Sequence, residues 1–233
     1  MVVPQTSTYT RENAQCMGPY KVSKEGSPDL CLSAVEFSDI PEMVRLLNIN
    51  QSVFNGSAIF QYPYLESHAR DRIQKAHNTI ISTGVNTHWA LRLESHSTSP
   101  LIGWAHLHFE HYDESKGQSP PIHPKTGRQV KAAEIGYWLS PEHTGKGYAG
   151  RMATFLVSEV VLKEMDCDIV RAVSYVDNMA SRKVAEKTGM TLELERRPIF
   201  VPKLGPGVQK DICIYALHRD DATKGIVKEN YDY

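Results

Sequence analysis

Two spacings of apolar residues run along this chain, one of two residues and one of three to four, and they divide it into predicted strands and helices. Leu30, Leu32 and Ala34 alternate with Cys31, Ser33 and Val35, the pattern of a strand with both faces fairly apolar. Asp39-Ile40-Pro41-Glu42 supplies a capping residue, an early proline and an acid three positions on. It opens a predicted helix with Met43, Leu46 and Leu47 on one face. After the interruption at Gly56 and Gln61-Tyr62-Pro63-Tyr64, helical spacing returns at Ala69, Ile73 and Ala76 and predicts a second, short helix. Trp89–Leu93 and Leu101–Leu107 read as consecutive strands, joined as a hairpin by the turn-rich segment 95–100.

Residues 111–131 carry Gly117, Pro120, Pro121, Pro124 and Gly127 among polar residues and predict a long loop, a feature often functional in compact domains. A strand over Glu134–Leu139 and a glycine-rich turn follow. The next helix starts near Gly150, with Met152, Phe155, Leu156 and Val160 as its apolar stripe. A strand over Ile169–Val176, a helix over Ala180–Lys187 and strands over Met190–Glu195 and Asp211–Leu217 complete the order. A strand–helix–strand unit implies a parallel pair, and the meander before it implies antiparallel neighbours. The expected class is therefore α/β, an α+β arrangement on one mixed sheet. An irregular arm is expected over 1–28, one domain over 29–220 and a tail over 221–233.

Composition narrows the function classes. With 233 residues, the chain can bury one substantial core. Its 26 basic and 27 acidic side chains leave a net charge of −1, which argues against nucleic-acid or anionic-membrane partners. Four widely spaced cysteines (Cys16, Cys31, Cys167, Cys213) form no CxxC or CxxH pair and read as reduced intracellular thiols. With no long apolar run and no secretory leader at the polar start, a cytoplasmic protein is expected, the nucleus staying open.

His143-Thr144-Gly145-Lys146-Gly147-Tyr148-Ala149-Gly150 lies between a predicted strand and a predicted helix. Glycines allow positive φ and clear side chains from a ligand, and a helix start offers unpaired N–H groups and the positive end of its dipole. An anion such as a pyrophosphate fits there. A GxxxxGK[ST] phosphate loop is absent. Gly145, Gly147 and Gly150 also spell GxGxxG with Asp166 and Asp168 downstream, which keeps a nucleotide-dependent oxidoreductase as an alternative. A turn needed only for strand-to-helix geometry is the third reading.

Two blocks carry a more specific message. Glu134-Ile135-Gly136-Tyr137-Trp138-Leu139-Ser140-Pro141 precedes Gly145-Lys146-Gly147-Tyr148-Ala149, and Asn178-Met179-Ala180-Ser181 leads into Glu186-Lys187-Thr188-Gly189-Met190. Together they resemble the GNAT superfamily of N-acetyltransferases, in its RimJ/RimL-like branch. Thr144 stands where the family's pyrophosphate loop has Gln or Arg. Tyr62-Pro63-Tyr64 followed by Ala69 adds a weaker match, and the likeness spans residues 28–220 or so.

The resemblance implies a single GNAT-like domain: a central, mostly antiparallel sheet, a splayed parallel strand pair and flanking helices. It implies acetyl-CoA as co-substrate, with pyrophosphate held at Thr144, Gly145, Lys146, Gly147, Tyr148, Ala149 and Gly150. Trp138 and Leu139 would offer backbone groups to pantetheine between the strands at 134–139 and 169–176. Asn178 and Ser181 would meet the pantetheine arm or the thioester sulfur. The acceptor would be a primary amine, at a protein N-terminus or on a small molecule, and the protein a monomer or homodimer.

Acetyl transfer to an amine needs a deprotonated nucleophile, a stabilised oxyanion and a leaving thiolate. Glu134 is the candidate base. An ammonium pKa of about 10 lies far above a carboxylate's, so it would act through ordered water; its alternative is a strand-end carboxylate in a salt bridge or solvent. Many family members protonate the leaving sulfur with a Tyr at the position held here by Ala185. Ser181 is the substitute acid, or else a first-turn residue bonded to its own backbone. Ala185 and Thr144 together leave a non-catalytic acyl-CoA-binding module as the alternative to an enzyme. Lys146 and Arg151 are candidates to pair with CoA phosphates. His106 and His108 share a strand face but lack a third ligand of matching spacing, so no metal is expected. Trp89, Trp104 and Trp138 read as core or cleft walls. Acceptor specificity is expected in residues 55–75 and 111–131.

Overall fold

A computed structural model of the chain describes residues 10, 12–94, 97–110, 112 and 118–226. Among them, eight strands form one sheet in the order β1-β2-β3-β4-β5-β6-β8-β7. In chain order the elements are β1 (Tyr20–Lys24), β2 (Ser27–Ala34), α1 (Ile40–Leu47), α2 (Ser52–Asn55), α3 (Glu66–Thr83), β3 (His88–Leu93) and β4 (Leu101–Phe109). Then come β5 (Ala132–Leu139), α4 (Tyr148–Phe155), β6 (Ile169–Tyr175), α5 (Met179–Lys187), β7 (Thr191–Phe200) and β8 (Gln209–His218). Every pairing is antiparallel except β5 with β6. A mixed sheet with one parallel pair is the architecture expected from the sequence, and it removes the support for a dinucleotide fold, which needs a largely parallel sheet.

Five elements differ from expectation, the first being the short helix α2, where the sequence predicted none. Part of the arm expected over 1–28 is strand β1, which turns through Glu25-Gly26 and pairs Lys21 with Cys31. Only Val22 of β1 is buried, so an edge strand with polar neighbours left no alternation to read. The second helix is long, because Ile80 continues the buried face of Ala69, Ile73 and Ala76. β7 runs on to Phe200 through Pro198, which an edge strand tolerates since one side of it donates to no neighbour. α4 begins at Tyr148 and continues over Leu156–Glu164 with the wider π-type winding. The expected 95–100 turn and the 111–131 loop include residues outside those described; of the latter, Ile122 bridges Gln129.

Apolar side chains sort onto the two faces of the sheet. One face packs Leu32, Trp89, Leu91, Ile135 and Leu107 against Met152, Leu156, Val157 and Val160 of α4 and its continuation. The other packs Trp104 and Trp138 against Met43, Leu46, Ala69 and Ile73 of α1 and α3. Trp89, Trp104 and Trp138 are all buried, as core or cleft walls should be. Asp39 behaves otherwise than its capping pattern predicts. Its carboxylate makes no cap bond to α1; it accepts the Glu36 N–H at 2.9 Å and pairs with the buried guanidinium of Arg92 on β3. All four cysteines are buried and free. Among the described residues no helix is long and apolar enough to cross a membrane.

Candidate active site

The parallel pair is short. Ala132, Ala133 and Glu134 of β5 face Ile169, Val170 and Arg171 of β6, and pairing stops there although both strands continue. Beyond Glu134 the strands part, and a cleft of about 560 Å³ opens between them and passes from one face of the sheet to the other. Glu134 sits where the opening begins and lines it.

Backbone direction follows from the neighbouring ladder. Glu110 N–H bonds the Ala132 carbonyl and Ser140 N–H bonds the Ile102 carbonyl, so even-numbered residues of β5 turn their backbone groups toward β4. The N–H and C=O of Ile135, Tyr137 and Leu139 therefore point to the open β6 side. Trp138, expected to offer backbone groups to a ligand in the opening, has them turned to β4 instead; its carbonyl lies 2.7 Å from where a Cβ on Gly103 would stand. Leu139 keeps the expected direction, and Tyr137 shares it.

On the α4 face, the glycine turn borders the cleft. Gly145 and Gly147 have φ +76° and +77°, the left-handed region that side chains disfavour. Gly147 is the residue before α4, and the first helical hydrogen bond runs from Arg151 N–H to its carbonyl. The amides of Tyr148, Ala149 and Gly150 thus have no partner inside the helix. Thr144 turns its hydroxyl to the Pro141 carbonyl at 2.9 Å, and Lys146 is exposed at the turn. Arg151 is not available to phosphates as the sequence led us to expect. Its guanidinium donates to the carbonyls of Pro28 (2.8 Å) and Val22 (2.5 Å) and fastens the β1–β2 hairpin to α4.

The second block lies on α5, at the far wall of the same cleft. Asn178 caps the helix by accepting the Ser181 N–H at 3.2 Å, and its amide donates to the Gly56 carbonyl at 3.1 Å. Its side chain therefore ties α5 to the segment after α2, a structural task the motif did not announce. Ser181 Oγ does not bond its own backbone; it lies 3.1 Å from the Tyr137 hydroxyl. Burial pushes the Tyr137 phenol up to about 12, so it stays protonated at neutral pH and can donate to Ser181. Tyr137 was not singled out from the sequence, because nothing local links a strand tyrosine to a helix serine 44 positions on. Ala185, at the usual acid's position, is buried and carries no polar group.

On the opposite face the walls are Phe60, His106 and Trp138 with Glu134. The His106 ring occupies the place of a side chain on Gly136: a Cβ there would stand 2.3 Å from the imidazole. The ring stacks on His88 at 5.7 Å, while His108 is exposed on the same strand. No group of three or more His, Cys, Asp or Glu side chains suited to a metal occurs among the described residues. Ser52, Val53 and residues 56–60 line the cleft, whereas none of the described residues of 118–131 does. That loop is held instead at the other end of the sheet, where Arg128 pairs with Asp168.

Residues 29–191 match the family model described as Acetyltransferase (GNAT) domain. A search of curated proteins gives no significant match. An acetyltransferase (GNAT family) from Bacillus anthracis has a similar structure over 85% of this chain and 98% of its own, at 19% identity and TM-score 0.61. RimL, the ribosomal L7/L12 alpha-N-protein acetyltransferase solved with coenzyme A, is similar over 85% and 98%, at 20% identity and TM-score 0.59. A ribosomal-protein-S5-alanine acetyltransferase from Vibrio fischeri is similar over 87% and 98%, at 15% identity and TM-score 0.63. At these identities the likeness speaks for the fold.

Proposed function

The chain belongs to the acetyltransferase (GNAT) family, and we propose that it moves the acetyl group of acetyl-CoA onto the nitrogen of a primary amine, at a protein N-terminus or on a small molecule. The observation that carries this reading is the parting of β5 and β6 after Glu134, with an anion-suited turn on one face and a carboxylate at the opening. Left-handed Gly145 and Gly147, with the unpaired amides of residues 148–150, fit a pyrophosphate. The outward backbone groups of Tyr137 and Leu139 suit the amides of a pantetheine arm, with the Leu139 N–H as the candidate donor to the oxyanion.

In this reading the amine nitrogen attacks the thioester carbonyl, the C–S bond breaks, and the nitrogen's proton passes through water to Glu134. Ser181, backed by the Tyr137 hydroxyl, donates to the departing sulfur. A thiol pKa of about 8.5 makes that assistance modest. Ser181→Ala and Tyr137→Phe are each expected to lower kcat by about tenfold, the worth of one hydrogen bond. The double variant should lose little more, since the two hydroxyls act as one unit. Full additivity in thiol-release kinetics would separate the two groups.

The pyrophosphate assignment has its own test. Gly147→Ala puts a Cβ at a left-handed position, φ +77°, at a cost of about 1–2 kcal/mol, and so pulls the turn out of its shape. We expect the KM for acetyl-CoA to rise about tenfold, the equivalent of 1.4 kcal/mol, with the acceptor KM unmoved. An unchanged acetyl-CoA KM would place the phosphates elsewhere.

A further inference from the structure

One polar side chain in the cleft wall opposite the glycine turn takes no part in the transfer steps. His106 lies on β4, paired with His88 of β3 on one side and with Gly136 of β5 on the other. Its ring stacks on His88 at 5.7 Å and leans over Gly136, where an added Cβ would stand 2.7 Å from Nε2 and 3.1 Å from Nδ1. The imidazole therefore takes the place between Glu134 and Trp138 in the row of β5 side chains on this face, and all three line the cleft. Alternate residues of a strand are about 6.8 Å apart, a span that an amine nitrogen, or an amine and a water, bridges with ordinary hydrogen bonds.

Burial pushes the His106 imidazole down to about 3, so the ring is neutral at working pH and offers one donor and one acceptor nitrogen. Neither nitrogen hydrogen-bonds a described residue, and unlike the sealed indole N–H of Trp138 both keep open surface. So weak a base does not compete with Glu134 for a proton. What it supplies is a hydrogen-bond acceptor beside the apolar Ile59, Phe60 and Trp138, where an N–H left without a partner is costly.

A neutral primary amine brings two N–H bonds to the thioester. One is lost as the C–N bond forms and the C–S bond breaks, its proton passing through water to Glu134; the other stays on the nitrogen of the amide product. We propose that His106 accepts a hydrogen bond from the N–H that the acceptor keeps, and thereby sets the site for primary over secondary amines. The inference rests on the acetyl-transfer reading and names the residue that selects the acceptor's nitrogen. No proton moves to the ring. A secondary amine gives up its single N–H to Glu134 and turns a carbon substituent toward His106, which leaves the accepting nitrogen unpaired.

Matched primary and N-methylated amines test it: benzylamine with N-methylbenzylamine, butylamine with N-methylbutylamine, and an alanine-starting tripeptide amide with its N-methyl form. Thiol release from acetyl-CoA gives kcat/KM, and calorimetry on CoA-loaded protein gives Kd. The unaltered chain should prefer the primary member by at least about tenfold, the worth of one hydrogen bond. His106→Phe still covers Gly136 but accepts no hydrogen bond. It should lower kcat/KM for the primary member about tenfold and leave the secondary member and the acetyl-CoA KM within about twofold. His106→Leu serves the same purpose if the larger ring unfolds the chain. His106→Gln, whose amide oxygen accepts, should restore most of the preference. A preference that survives the apolar variants, or equal losses for both members of a pair, would overturn the inference and leave acetyl transfer standing. Binding of a primary amine without thiol release, weakened about tenfold by His106→Phe, would support the contact and count against acetyl transfer. Neither release nor binding with any amine would overturn both.

Discussion

Glu134→Gln is expected to lower kcat by about 10²- to 10⁴-fold, the contribution of a positioned proton acceptor. The expectation follows from place as much as from chemistry. Glu134 is the last residue of β5 paired with β6, so its carboxylate stands at the point where the cleft opens. The His106 ring fills the side-chain slot of Gly136 beside it, and Trp138 closes the wall beyond. An amine pKa of about 10 means that the nucleophile reaches the site mostly protonated, and the group that removes the proton governs the rate. Gln keeps the shape and some hydrogen bonding of Glu while losing its basicity. The acetyl-CoA KM should therefore stay within about twofold, since the glycine turn is untouched. A variant with normal kcat and a raised acceptor KM would make Glu134 a binding group.

Asp39→Ala is expected to destabilise the fold by about 3–5 kcal/mol, the usual result of stripping one partner from a buried ion pair. Arg92 is 2% exposed and Asp39 6%, and two N–H···O bonds of 2.7 and 2.9 Å join them. Ser33 Oγ accepts from Nε of Arg92 and the Ser99 carbonyl from Nη1. Alanine would leave a buried guanidinium with two neutral acceptors and no counter-charge. Against a typical domain stability of about 5–15 kcal/mol, that loss is severe. It also falls where β2, β3 and the start of α1 meet, so the acceptor-side helices should loosen with it. Urea denaturation measures the change. Adding Arg92→Met to Asp39→Ala should recover most of it, whereas a single-variant loss under about 1 kcal/mol would mean that water already reaches the pair.

Local patterns carried most of the architecture. Period-two and period-3.6 spacings gave the strand–turn–helix around the glycines and the antiparallel meander before it, because in those segments one residue type occupies one face. They failed at β1 and at the far half of α3, where only Val22 or Ile80 signals burial. The turn was legible because positive φ demands glycine at Gly145 and Gly147. Side-chain duties that depend on distant contacts were not. Arg151 looked like a phosphate ligand until the β1–β2 hairpin was seen to occupy it. Asn178, expected to meet the pantetheine arm, lines the cleft and has the added duties of cap and tether. The Tyr137–Ser181 pair and the seat of the His106 ring over Gly136 arise only when β5, α5 and β4 converge.

Side-by-side thiol release from acetyl-CoA by the unaltered chain and Glu134→Gln, over a panel of primary amines, tests the account most directly. We predict amine-dependent release by the unaltered chain and a loss of at least about 10²-fold in the variant at an unchanged acetyl-CoA KM. Equal release by both proteins, or none above background with any amine, would contradict it.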